Sequence, residues 1–396
     1  MTEHARPGVA RRRFLGGSAA GAVGFGMGAA VFAEARESGA GAAATEPFHG
    51  IHQAGIATPP QTRGAFVAMD LRPGTAREDI VGALRIWTGD AARLTQGRPA
   101  LADTEPELAA RPARLTVTIG LGATVFERYG LDARRPPWLA PLPPFPIDRL
   151  DPAYCGGDLL LQVCAEESTT VSHAVRVLCR SVRSLMSVRW VQRGFRDGPP
   201  GTTPRNLMGQ LDGTANIAAG PDFDRLVWDD GSAQPWLAGG TSLVLRRIAM
   251  ALDTWDEIDP RAREFTVGRT LGTGAPLTGT DEFDEPDFTA VDANGITVIP
   301  PSSHIARAHH RHDGERFFRR AYNYDDAPEP GAISNSGLLF AAYQRDVLTQ
   351  FLPVQQRLAE FDALNVWTTP IGSAVFAVPP GARGADEYIG QTLFES

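Results

Sequence analysis

Apolar positions along the chain fall into short runs whose period switches between two and about 3.6 residues. AFVAMDL, at 65–71, reads as a strand. Between Ala76 and Trp87 the spacing of Ile80, Leu84 and Trp87 predicts a helix. Leu115, Val117 and Ile119 then alternate with Thr116 and Thr118, the pattern of a strand with two unlike faces. The prolines of PPWLAPLPPFP, at 136–146, lack backbone donors and predict an extended loop. Leu159–Ala165 is nearly all apolar, as expected of a buried strand. Val171, Val175, Leu178 and Val182 make a helical stripe, and Val188–Phe195 closes the set as a strand. The order is β-α-β, a long loop, then β-α-β.

The second half repeats this order loosely. Ser242–Ala251 is strand-like, Pro260–Thr270 helical, His304–Ala308 a short element and Phe317–Tyr324 extended. Leu338–Tyr343 reads as a strand, and Val347, Phe351, Val354 and Leu358 as a helical stripe. AVFAV, at 374–378, is the last strand. Two such halves predict an α+β fold of two ferredoxin-like β-α-β repeats, with antiparallel sheets carrying helices on their outer faces. The expected boundaries are a leader at 1–35, a linker at 36–60, an N-terminal domain at 61–215 and a C-terminal domain at 216–396. Residues 196–236 and 270–302 are long connections rich in Gly, Pro and Asp, the kind of loop that tends to carry function.

Composition narrows the chemistry. With 396 residues the chain is long enough for two cores. A formal net charge of −8 argues against nucleic-acid binding. None of the 38 basic residues is Lys, which excludes Schiff-base and P-loop lysine chemistry. Arg11-Arg12-Arg13-Phe14-Leu15, the apolar run Leu15–Ala33 and small residues at Ala33 and Ala35 fit a twin-arginine export signal. The run is too rich in glycine for a convincing membrane span. Export by that machinery, which carries folded proteins, points to a periplasmic, cell-envelope or extracellular location and to a cofactor inserted beforehand. Cys155, Cys164 and Cys179 are odd in number and lack zinc spacing, so free thiols are expected.

Three segments carry candidate chemistry. RNLMGQLDGTAN, at 205–216, places Asp212 among glycines and small polar residues. Asp-Gly pairs often mark plain turns. In this setting the acid is also a candidate for proton transfer. HIARAHHRH, at 304–312, is a metal tract or supplies one axial ligand with bystanders, with a strand through PSSHIA presenting His304. RFFRRAYNYDD, at 316–326, offers Arg319 and Arg320, which point to opposite faces of an extended strand. His49 and His52 are expected to be structural or solvated, and His173 structural.

Taken together these segments resemble the dye-decolourising haem peroxidases, in particular an exported branch linked to iron uptake. RNLMGQLDGTAN resembles their G-x-x-D-G signature, and Ser303-His304-Ile305 their proximal S-H-I motif. Arg307 stands one place later than the family's arginine. FHGIHQAGIATPPQ, GGDLLLQVCAE, SGLLFAAYQRD, FLPVQQRLAEFDALN and GSAVFAVPPGAR extend the likeness over nearly the whole mature chain. The resemblance implies a dimeric α+β barrel type of fold with haem b in the C-terminal half. It implies His304 as the proximal iron ligand and Asp212 with Arg319 as the catalytic pair, Arg319 being preferred over Arg320. Gly213, Thr214, Ala215, His309 and Arg311 would line the haem, Arg311 beside a propionate, and Asp362 would bond the far nitrogen of His304. Tyr322 and Trp367 are electron-transfer candidates, though packing explains them as well. The partners implied are hydrogen peroxide and a bulky aromatic, dye-like or metal-ion donor. Two other readings stand beside this one: a deferrochelatase that frees iron and leaves the porphyrin intact, and a haem carrier without turnover. The sequence leaves a homo-oligomer open.

Overall fold

A computed structural model describes residues 44–199 and 201–395. The expected leader at 1–35 lies outside the described residues, as does the first part of the expected linker. Among the described residues nine strands form one antiparallel sheet that closes on itself. They are β1 (Arg63–Leu71), β2 (Thr116–Leu121), β3 (Leu159–Ala165), β4 (Met186–Phe195), β5 (Thr241–Met250), β6 (Phe318–Arg319), β7 (Tyr322–Asp325), β8 (Ser336–Gln344) and β9 (Thr368–Val378). The N-terminal half runs β2-β3-β1-β4, and the C-terminal half runs β9-β5-β8 with β7 and β6 sharing the far edge of β8. Each half therefore has the ferredoxin-like order. The halves meet through Leu121 opposite Ala377 and Phe195 opposite Asn323, which closes the barrel.

Alternation along the strands sorts side chains into two cores. Val67, Met69 and Ile119 point outward, where they pack with Ile80, Leu84 and Trp87 of the helix Arg77–Leu94. Phe66, Leu160, Cys164, Tyr322, Tyr343 and Phe376 point inward and fill the barrel. The threonines of β2 look like a solvent face in the sequence, yet Thr116 and Thr118 are buried. Gln61 donates to Thr116 Oγ1 at 3.2 Å and Gln162 to Thr118 Oγ1 at 3.3 Å, so the inward polar groups are satisfied inside the barrel.

Some expectations need revision and others hold. Residues 44–60, expected to end a linker, lie packed on the barrel. Ile56 is fully buried, and Gln53 Nε2 donates to the carbonyls of Ile119 and Pro379, each at 2.9 Å. His52 stacks on Trp228 and bonds the Gly239 carbonyl, so it is structural rather than solvated. His173 is buried against Asp103 at 3.1 Å. The extended run 317–324 is broken between β6 and β7. His304 opens a short helix, His304–Ala308, instead of sitting on a strand. Pro300 and Pro301 keep the approach irregular, and Ser303 marks the turn into the helix. All three cysteines are free.

The proline loop of the N-terminal half is locked to the C-terminal sheet. Arg149 and Asp151 donate their backbone N–H groups to Pro370 and Ile371, each at 2.9 Å. Asp148 pairs with Arg246 of β5, and both side chains are buried, at 7% and 1% exposure. Removing one member of such a pair strands the other charge in a dry site. Asp148→Ala is therefore expected to destabilise the protein by about 3–5 kcal/mol, measured by denaturant unfolding. A midpoint equal to that of the parent protein would show that the pair holds nothing.

Candidate active site

The site sits on the outer face of the C-terminal sheet. It is assembled from the 205–216 loop, β6, the His304 helix and the segment after the helix Leu352–Phe361. Asp212 Oδ1 accepts from Arg319 Nη1 at 3.1 Å, and both side chains are mostly buried, at 20% and 25% exposure. Asn206 Nδ2 lies 3.5 Å from Asp212 Oδ2. The loop is pinned from within, since Asp212 N donates to Pro204 O at 2.8 Å and Gly213 takes a φ of +140°. Positive φ of this kind strains any residue with a Cβ.

Arg319 and Arg320 do point opposite ways. Arg320 is fully buried inside the barrel, where Nη1 donates to Thr58 O at 2.5 Å and Nη2 donates to Gln61 Oε1. Arg319 faces outward to Asp212. Its backbone is held by one residue that the sequence reading passed over as a site residue. Asn216 Oδ1 accepts from Arg319 N at 2.8 Å, and Asn216 Nδ2 donates to Arg319 O at 2.7 Å. The signal was present, because Asn216 ends the same twelve-residue motif as Asp212. A carboxamide offers one acceptor and two donors, which matches one residue's backbone N–H and C=O.

His304 is 35% exposed and bonds Asp362 Oδ2 through Nδ1 at 2.6 Å. Burial alone would push the imidazole pKa down. The adjacent Asp362 carboxylate outweighs this, and the net shift is upward. The charges of Asp212 and Arg319 also reach His304, with opposite signs. Asp362 is itself fixed, since its Oδ1 accepts from Leu364 N at 2.9 Å, and Ala363 N donates to Ser302 O at 2.8 Å. The left-handed Gly268, at φ +90°, lets the preceding helix Pro260–Val267 end against Ser303 and Ile305. A Cβ there would come within 2.6 Å of Ile305 Cγ1.

The remaining candidates scatter around this centre. Thr214 Oγ1 donates to Glu282 Oε1 at 2.8 Å, and Ala215 is exposed. His309 stacks on His310 with ring centroids 4.6 Å apart. Arg311 is exposed, and its backbone N–H donates to Glu315 at 2.9 Å. Arg307 is turned away, with Nε on the Arg357 carbonyl at 3.1 Å and Nη2 3.4 Å from Glu360. Tyr322 lies wholly inside the barrel, where burial pushes its phenol well up. Trp367 is half-buried and meets Trp255 edge-on at 5.2 Å, and Trp255 Nε1 donates to Met208 O at 3.1 Å.

These residues fit haem. His304 commits Nδ1 to a carboxylate and has no bond recorded at Nε2, which leaves that nitrogen for iron and fixes the tautomer. A separate apolar cluster of Met208, Trp255, Val267 and Leu338, flanked by Phe340 and Leu364, joins the same segments. Among the described residues no group of three or more His, Cys, Asp or Glu is arranged to hold a bare metal ion.

Comparison with known proteins agrees. Residues 53–196 match the model for the N-terminal part of Dyp-type peroxidases, and residues 203–383 match the C-terminal part. A dye-decolorizing peroxidase of Thermobifida fusca is 40% identical, with 98% of each chain aligned. A deferrochelatase of Yersinia pestis is 36% identical over 89% of this chain and 85% of its own. The crystal structure of a DyP-type peroxidase from Cellulomonas bogoriensis is 57% identical, with a TM-score of 0.87 over 90% of this chain and 99% of its own. With both halves matched in sequence and in fold, the chain belongs to the Dyp-type peroxidase family and is a haem enzyme.

Proposed function

We propose that His304 holds the haem iron, that Asp212 and Arg319 act together on hydrogen peroxide, and that electrons come from bulky aromatic, dye-like or metal-ion donors. The observation that carries this reading is the Asp212–Arg319 ion pair, 3.1 Å apart and within electrostatic reach of an imidazole whose other nitrogen is tied to Asp362. Haem supplies the site that takes up peroxide and stores the two oxidising equivalents released when the O–O bond breaks. Before that bond breaks heterolytically, one proton must leave one peroxide oxygen and reach the other. An Asp212 carboxylate oxygen can take that proton and return it. The Arg319 guanidinium places fixed positive charge beside the oxygen that becomes negative. Asn216 keeps Arg319 in place through its backbone.

Donors too large to reach the haem need a route for electrons. Trp367 is the better outlet, being partly exposed and packed on Trp255 next to the Asp212 loop. Tyr322 is enclosed and can serve only as an inner relay. Gly213, Thr214, Ala215, His309 and Arg311 are proposed to edge the haem on the strength of the motif alone. Export through the twin-arginine route rests on Arg11-Arg12-Arg13 and the run after it. No helix among the described residues is long and apolar enough to cross a membrane.

A second reading, release of iron from haem, draws support from relatives named as deferrochelatases. Product analysis separates the two, because iron release yields free porphyrin whereas peroxidase turnover leaves the ring metallated. A carrier would need His304 but has no use for the Asp212–Arg319 pair.

Three variants test the proposed roles. Asp212→Asn is expected to slow the peroxide reaction by about 10²–10⁴-fold in stopped-flow measurements while haem stays bound. An unchanged rate would remove Asp212 from proton transfer. His304→Ala should leave the purified protein without a Soret band after expression with ample haem, and full haem content would exclude it as the ligand. Asn216→Ala should reduce the peroxide rate by about tenfold at normal haem content, since the hold on Arg319 is lost. A rate equal to the parent's would show that Arg319 keeps its position without that amide.

A further inference from the structure

The long connection that leaves the helix Pro260–Val267 touches both sides of the site. Gly268, its first residue, packs on Ser303 and Ile305, the neighbours of His304. Farther along, the connection grips the loop that carries Asp212. Arg205 Nη1 donates to Leu271 O at 2.7 Å, and Nη2 donates to Gly272 O at 2.9 Å. Gly274, at φ +73°, packs so closely that a Cβ there would come within 2.5 Å of Leu211 Cδ1. Beyond Asp212, Thr214 Oγ1 donates to Glu282 Oε1 at 2.8 Å. The connection thus holds the loop both before and after Asp212. Glu282 differs from the acids around it. Asp281 accepts from Phe283 N at 3.2 Å, and Asp284 accepts from Thr280 N and Asp281 N at 2.8 and 2.9 Å, so these carboxylates shape their own turn. Glu282 is half-buried, and its carbonyl accepts from Arg269 Nη1 at 2.8 Å, which fixes its backbone.

We propose that Glu282 is a positioning residue: through Thr214 it holds the Asp212 carboxylate in the place where it meets peroxide. The inference rests on the proposed proton-transfer role of Asp212. Gly213 separates Asp212 from Thr214 at φ +140°. Without a Cβ, it is the link of the motif that resists rotation least. The first side-chain anchor after this pivot is Thr214 on Glu282, and Asn216 on Arg319 follows. A carboxylate that accepts from a hydroxyl makes a charge-assisted bond, stronger than a neutral one. Misplacing a reacting group by about 1 Å can cost about a hundredfold in rate, so a hold this close to Asp212 is felt in the chemistry.

The test compares Glu282→Ala, Glu282→Gln, Thr214→Val and the double variant Thr214→Val/Glu282→Ala with the parent, all haem-loaded. Stopped flow gives the second-order peroxide rate, amide hydrogen exchange reports on residues 205–216, and urea unfolding gives the midpoint. Glu282→Ala and Thr214→Val should each lose about tenfold in rate at unchanged haem content and midpoint. Amides of the loop should exchange about tenfold faster in both. Glu282→Gln should stay within about twofold of the parent, because its carboxamide oxygen still accepts from the hydroxyl. The double variant should lose no more than either single one, as expected of two groups that act through one bond. Parent-like rate and exchange in Glu282→Ala would overturn the proposal, and so would losses that add in the double variant. A loss confined to Thr214→Val would assign Thr214 a direct part at the haem and overturn it as well. Should Glu282→Ala fold poorly, Thr214→Val against Thr214→Ser, which keeps the hydroxyl, decides the matter by the same readings. A full rate in Asp212→Asn would overturn the proton-transfer reading, a result distinct from parent-like behaviour of Glu282→Ala.

Discussion

The site depends on an arginine that never enters it. Successive residues on an extended strand point to opposite faces, so the position of Arg320 dictates that of Arg319. Arg320 is sealed inside the barrel, clamped by the Thr58 carbonyl and by Gln61, residues far away in sequence. A buried guanidinium released from those acceptors would carry a large desolvation cost. That cost makes the outward orientation of Arg319 a consequence of barrel packing rather than of the site. Gln61 in turn spends its amide on Arg114 O and Thr116 Oγ1, which extends the constraint to β2. The segment before β1 thus belongs to the machinery that orients the active site, although it contributes nothing to the site's surface.

A parallel arrangement exists at the histidine. Asp362 ends one helix, accepts the backbone N–H of the next turn and still has an oxygen for His304. One carboxylate therefore fixes the local chain and the imidazole together. A side chain already immobilised by its own backbone loses little further freedom in holding its neighbour. Both halves of the site follow this rule. Asn216 holds the backbone of Arg319, and Asp362 holds the ring of His304. The reactive groups are carried on short elements and braced by polar residues from elsewhere.

Much of this was legible in the sequence because it is local. The β-α-β order, the twelve-residue Asp212 motif and the Arg319–Arg320 alternation each rest on nearest neighbours and periodicity. His304 was found by motif but placed on a strand, since three flanking residues do not distinguish extended chain from the first turn of a helix. The two-fold pattern of β2 misled in another way. Alternating Thr and apolar residues ordinarily mean one wet face, whereas closure of the barrel buries both. Nothing near Thr116 or Thr118 announces the glutamines that satisfy them, because those partners arrive from other segments of the fold.

The proximity of Asp212 and Arg319 limits how their roles can be divided. The guanidinium that would stabilise negative charge on peroxide is also bonded to the Asp212 carboxylate at 3.1 Å. Removing Arg319 would deprive the departing oxygen of its counter-charge and at the same time release Asp212 from its bonded partner. The single losses at Asp212 and Arg319 should therefore not add, as is general for groups that act as a unit.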